Sequence, residues 1–275
     1  MKTVVVNKAG RKYADLANRL EALAGVAAPL VEAVTEMALP NSVVITTTKV
    51  GKWQSDGIRR DRQQIKADIE ELNPTPFSRR CATLACHQGY RSARASWRMV
   101  GAQTVMVQGR PEIVVLPRAL AEAGRLTDES VLLKVVAHEL THVAQCHRDN
   151  GEGFRMLGTR FPQERDITEL DYGFLHEGHA YWADAQITTK ILGAPVATAE
   201  ISPHATRRYL DLAQSPARAS AVRYVDRARN SAAMVIDAHG LDAFNQMWGR
   251  RDLVPLRAET STADAWPRRL QSAFA

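Results

Sequence analysis

The sequence predicts an α+β protein, with a small mixed sheet in its first half and helices through most of its second. Three observations carry that prediction. Apolar residues recur at helical spacing over long stretches in both halves of the chain. The run 43–50 is β-branched at every position but Lys49. Two further short runs, 104–108 and 112–116, are parted by Gly109-Arg110-Pro111 and read as a hairpin.

Taken in order, residues 11–37 place Leu16, Leu20, Leu23 and Val26 on one helical stripe. Pro29 should kink or split that helix, and Leu39-Pro40-Asn41 should end it. The strand at 43–50 follows, and then a charged helix over 52–72 with Ile58, Ile65 and Ile69 at helical spacing. Asn73-Pro74-Thr75-Pro76 breaks the chain, and the Arg-rich stretch 78–98 shows no clear period. After the hairpin comes a short helix at 117–123. Thr127-Asp128-Glu129-Ser130 offers N-caps for a strong helix reaching about His147, closed by Asp149-Asn150-Gly151. A loop-rich stretch to 171 leads into helices at 174–192, 205–214, 218–239 and 241–248. The expected organisation is an α/β subdomain over 1–150, a helical subdomain over 151–275, and a cleft between them.

Composition sets bounds on function. The 275 residues, 45% hydrophobic and 24% charged, can build a real core and do not read as disordered. The net charge of +6 and the isoelectric point near 9.4 invite an anionic partner. Yet the arginines of 59–62 and 79–98 are interleaved with few aromatics and match no nucleic-acid module, so no specific nucleic acid is expected. The apolar run Val4-Val5-Val6 falls short of the roughly 7–15 residues of a secretory core. No stretch has the length of a bilayer span. Three cysteines cannot form a full disulfide framework. A cytoplasmic protein with no membrane partner is the expectation.

The sharpest motif is His138-Glu139-Leu140-Thr141-His142, an H-E-x-x-H on a predicted helix. Four residues advance a helix by about 400° and 6 Å, so His138 and His142 project from nearly one face. Two imidazoles so placed can both reach one Zn²⁺, and Glu139 stands close enough to take a proton from water. Apolar Val135, Val136, Leu140 and Val143 flank the motif, unlike a solvated helix face.

A catalytic zinc needs a third protein ligand. His147 lies five residues past His142, about 500° round the helix, and points away. The better candidate is Glu177, opening a helix in Phe174-Leu175-His176-Glu177-Gly178-His179-Ala180, with His176 and His179 as rivals. Asp184, two turns on from Glu177, can accept the free ring N–H of a ligand histidine, or serve as an ordinary surface charge.

His138-Glu139-Leu140-Thr141-His142 followed by Glu177-Gly178-His179-Ala180 and Asp184 resembles the gluzincin metallopeptidases, the clan of thermolysin and aminopeptidase N-like enzymes. The resemblance implies a zincin-like fold, one zinc per chain and hydrolysis of a peptide or protein substrate. It implies ligands His138, His142 and Glu177, with Glu139 as general base. It also implies that Tyr224, in Arg223-Tyr224-Val225, stabilises the oxyanion, although Arg227 stands where that pattern has Gly. In zincins an edge strand before the active-site helix binds extended substrate, and 112–116 sits where that strand is expected. No G-A-M-E-N-like motif is present, which favours an endopeptidase over amino-terminal trimming. These blocks cover about a quarter of the chain.

Two other function classes fit the same residues: a zinc hydrolase acting on a non-peptide amide or ester, and a basic binding protein with a non-catalytic zinc. Glu139 argues against the second, since a purely structural zinc has no use for a base. Cys81-x4-Cys86-His87 and Cys146-His147 suggest either a further metal site, an inhibitory thiolate, or buried small apolar residues.

Overall fold

A computed structural model describes residues 1–197 and 199–274. The chain runs β1 (Lys2–Asn7), α1 (Ala14–Thr35), β2 (Ser42–Thr47), α2 (Val50–Leu72) and α3 (Pro76–Ser96). It continues through β3 (Ala102–Val107), β4 (Arg110–Val115), α4 (Pro117–Glu122), α5 (Glu129–Arg148) and α6 (Glu152–Gly158). The rest is helical: α7 (Tyr172–Leu192), α8 (Arg207–Ala213), α9 (Pro216–Asn245) and α10 (Ala265–Gln271). The α+β class holds. Among the described residues no helix is long and apolar enough to cross a membrane.

The four strands form one mixed sheet in the order β1-β2-β4-β3, with β1, β2 and β4 parallel and β3 antiparallel to β4. Alternation along the strands gives each face its own apolar set. Val43, Ile45, Ile113 and Val115 face the main core with α1 and α5, while Val105 and Val114 pack with Trp53 and Trp97 on the other side. The hairpin turn is Gln108-Gly109, both at positive φ (50° and 77°), one residue earlier than the sequence suggests. β1 had no predicted counterpart, because three valines flanked by charged and polar residues are too short a signal.

Helix α1 passes through Pro29 unbroken. Pro29 and Gly25, whose carbonyl loses its partner, both lie on the exposed side, where water can satisfy that oxygen. The buried stripe is Leu16, Leu20, Ala24, Ala27 and Val31, and Val26 is 51% exposed, so the apolar face is rotated from the expected one. The 218–239 helix is joined to the next turn, but Gly240 (φ 81°) breaks helical geometry where the sequence places the boundary. The main apolar core runs through both halves of the chain, from Leu20 and Ile45 to Phe174, Val235 and Phe244. At its centre α7 and α9 approach so closely that a Cβ on Gly178 would lie 2.5 Å from the Ala228 carbonyl oxygen.

The unassigned stretch 78–98 is helix α3, started by Thr75, whose hydroxyl accepts from Ser78 N (3.1 Å), with Pro76 in the first turn. Together α2 and α3 make a helical arm with little buried apolar surface, which is why α3 shows no apolar period. The arm is fastened instead by polar bonds from Asp68 and Glu71 to Arg165 and Arg155.

Candidate metal centre

Helix α5 is capped by Asp128, whose carboxylate accepts from Val131 N (3.2 Å), and buries Leu132, Val136, Leu140 and Val143 against the core. That packing fixes the rotation of the helix and turns His138, Glu139 and His142 to the opposite side, into a cleft of about 1200 Å³. The cleft is walled by α5 and β3 from the first half, α6 and α7 from the second, and roofed by the α2–α3 arm.

His138 Nε2 and His142 Nε2 stand 3.1 Å apart. Their other ring nitrogens are occupied: His138 Nδ1 donates to Asp184 Oδ2 (3.0 Å) and His142 Nδ1 donates to Gln145 Oε1 (2.8 Å). Both Nε2 atoms therefore point at one spot. Glu177, from the second turn of α7, brings Oε2 to 3.4 Å from His138 Nε2 and Oε1 to 3.7 Å from His142 Nε2. All the donor atoms of His138, His142 and Glu177 lie within 4.8 Å of one another. Two nitrogens at about 2.0–2.1 Å from one tetrahedral ion stand about 3.3 Å apart, so the spacing fits a shared metal ion. Electrostatics agrees that a positive charge belongs here. Burial pushes His138 down, yet Asp184 and Glu177 outweigh it and raise it to about 10. Burial likewise opposes the ionised Glu177, and His138 and His142 pull it to about 2.

Glu139 lines the cleft and takes a hydrogen bond on Oε2 from Thr104 Oγ1 of β3 (2.7 Å), while Oε1 has no partner among the described residues. Asp184 is fully buried and bridges His138 to Lys134, whose ammonium is 3.3 Å from Asp184 Oδ1. Asp184 is therefore not a surface charge.

His176 and His179 are held elsewhere. His176 Nδ1 donates to Gln145 Oε1 (3.0 Å), and Gln145 Nε2 donates to His179 Nδ1 (3.2 Å). Burial pushes both histidines down to about 3, so both stay neutral, with His179 stacked on Phe244 at 4.9 Å. His147 is exposed. Cys146 is buried against Met106 (Sγ to Sδ 3.4 Å), and burial pushes its thiol up to about 12. Among the described residues only His138, His142 and Glu177 form a metal-ligating group, with no cysteine in it.

Three placements differ from the sequence expectations. Tyr224 donates its hydroxyl to Asp171 Oδ1 (2.8 Å), the residue that caps α7, and does not line the cleft. Arg223 is exposed. Tyr181 does line the cleft: its ring is 4.5 Å from that of His138, and its hydroxyl has no hydrogen bond among the described residues. Its spacing was the available signal, since Tyr181 follows Glu177 by four residues and so shares its helix face. Finally, the 112–116 strand is not at an edge. β4 is paired on both sides, and the edge beside the site is β3, from which Thr104, Val105 and Met106 line the cleft.

No family model and no curated protein matches the chain. Its fold is similar to the crystal structure of a proposed hydrolase of novel fold from Chloroflexus aurantiacus. The TM-score is 0.60 at 16% identity, over 95% of this chain and 92% of the other. The likeness shows a shared fold.

Proposed function

We propose that the protein is a zinc-dependent metallopeptidase, an endopeptidase related to the gluzincins. The observation that carries the proposal is the convergence of two Nε2 atoms 3.1 Å apart with the Glu177 carboxylate beside them. A His₂Glu donor set suits zinc. The description of the Chloroflexus protein as a hydrolase supports the same reaction class.

His138, His142 and Glu177 would hold the ion, with Asp184 and Gln145 keeping the histidine rings oriented. Bound there, zinc supplies a Lewis acid that polarises a carbonyl and acidifies water towards a pKa of about 7. Glu139 Oε1 takes the proton of the attacking water and returns it to the leaving amine. The Thr104 hydroxyl keeps Oε2 in place during both transfers. The Tyr181 hydroxyl, kept protonated by burial and by the charge of Glu177, donates to the oxygen that becomes negative. The edge of β3 offers backbone groups to an extended peptide.

Metal analysis and peptide hydrolysis test the proposal together. Glu139→Gln is expected to keep one zinc per chain and lose about 10²–10⁴-fold in kcat. Glu177→Ala is expected to lose the metal. Unchanged hydrolysis in zinc-loaded Glu139→Gln would overturn the catalytic reading.

A further inference from the structure

Six cationic side chains line the cleft, and four of them are neutralised. Arg125 pairs with Asp128 (2.6 Å), Lys134 with Asp184 (3.3 Å), Arg155 with Glu71 (2.9 Å) and Arg160 with Asp61 (3.3 Å). Arg60 and Arg218 have no hydrogen bond or ion pair to their guanidinium groups among the described residues.

Arg60 belongs to the face of α2 that roofs the cleft. Trp53, Gly57, Arg60, Gln64 and Ala67, spaced four and three apart, all line it, and Arg60 is the charged member of that stripe. Trp53 anchors the stripe over the sheet, its indole N–H donating to Gln103 of β3 (3.2 Å). Arg60 lies along Gly57, where a Cβ would be 3.9 Å from Nη2. Burial pushes the guanidinium down from its ordinary value, against the attraction of Asp56, Asp61 and Glu112. An arginine remains charged in such a place, and no carboxylate lies within ion-pair distance of it among the described residues.

Arg218 reaches the cleft from the other wall. It sits in the first turn of α9, which holds no acidic residue there, so its charge adds to the positive end of the helix dipole. Local stability favours a carboxylate at that position. Arg218 lines the same cleft as Tyr181, His138 and Glu139.

We propose that Arg60 and Arg218 are specificity-determining residues that select acidic peptides, whose carboxylate side chains near the scissile bond supply the two missing counter-ions. This rests on the peptidase reading above.

Three labelled peptides of one sequence, with Glu, Gln or Lys flanking the central bond, test the proposal in two assays. Zinc-loaded Glu139→Gln reports binding by fluorescence anisotropy, and the zinc-loaded wild-type protein reports cleavage. The Glu peptide is expected to bind roughly tenfold tighter than the Gln peptide, with the Lys peptide weakest. That ratio is expected to shrink with added salt and to fall towards one when Arg60→Ala and Arg218→Ala are combined, in protein whose metal content is unchanged. Equal affinities for the three peptides, or a preference that survives both substitutions, would overturn the proposal. Charge-selective binding without cleavage of any peptide sinks the peptidase reading and leaves the charge preference standing. Cleavage of all three at one kcat/KM does the reverse.

Discussion

Gln145 shares one carboxamide among three histidines. Its Oε1 accepts from His142 Nδ1 and His176 Nδ1, and its Nε2 donates to the His176 carbonyl and to His179 Nδ1. Those four bonds exhaust what a carboxamide can make. The residue therefore sets which nitrogen of His142 carries the proton, and so keeps Nε2 free for an ion. Gln145→Leu is expected to weaken zinc binding by about 10–100-fold, read by competition with a chromophoric chelator. Gln145→Glu keeps an acceptor for His142 and is expected to lose less. Leu and Glu variants of equal affinity would show that Gln145 has no part in orienting the ligand.

At the scale of elements, the α2–α3 arm is held by charge where other helices are held by apolar contact. Asp68, fully buried, accepts from Gln64, Arg165 and Thr159, at 2.7, 2.7 and 2.9 Å. Glu71 bonds Arg165 and Arg155, and these pull its carboxyl from 4.5 to about 2. A carboxyl depressed on folding stabilises the native state fully above its unfolded pKa and loses that contribution as pH falls through its folded value. The stability difference between the wild type and Glu71→Gln should thus be largest above pH 4.5 and vanish towards pH 2. Urea unfolding at a series of pH values measures it, and a difference constant with pH would rule the linkage out. The same arm carries Arg60 over the cleft, so its fastening also positions the proposed specificity residue.

For the whole molecule, the candidate ligands come from two helices that meet only in the folded chain: His138 and His142 from α5 and Glu177 from α7. An ion bound by such a set stabilises the native state alone. At zinc about 100-fold above its Kd the gain is about 2.7 kcal/mol. For a chain of this size that amounts to a rise of about 5 °C or more in Tm, reversed by a chelator. Paired melts of the wild type and a His138→Ala, His142→Ala variant check it, since the variant should show no shift. Equal midpoints with and without chelator in the wild type would count against a tight site.

Much of the site was legible because it depends on local geometry. The H-E-x-x-H spacing needs only a helix, and the caps and apolar flanks of 127–147 announce one. Glu177 stood out by its residue type at the head of a second helix. Other features left weak local signals: the three valines of β1, the apolar-poor α3, and a proline in α1 whose cost is relieved by exposure. The division into 1–150 and 151–275 follows chain order, whereas the apolar core joins residues of both stretches.

What the sequence by itself determined is the α+β class, the helix that carries His138 and His142, and the candidate donor set, each set by periods and spacings of a few residues. What only the tertiary structure decided is the relation between distant parts. It made β3 and not β4 the edge, turned Tyr181 to the cleft while Tyr224 caps α7 through Asp171, and laid a charged arm across the opening. Each of these depends on which surfaces pack together, and two segments with the same local pattern can end on opposite sides of a core.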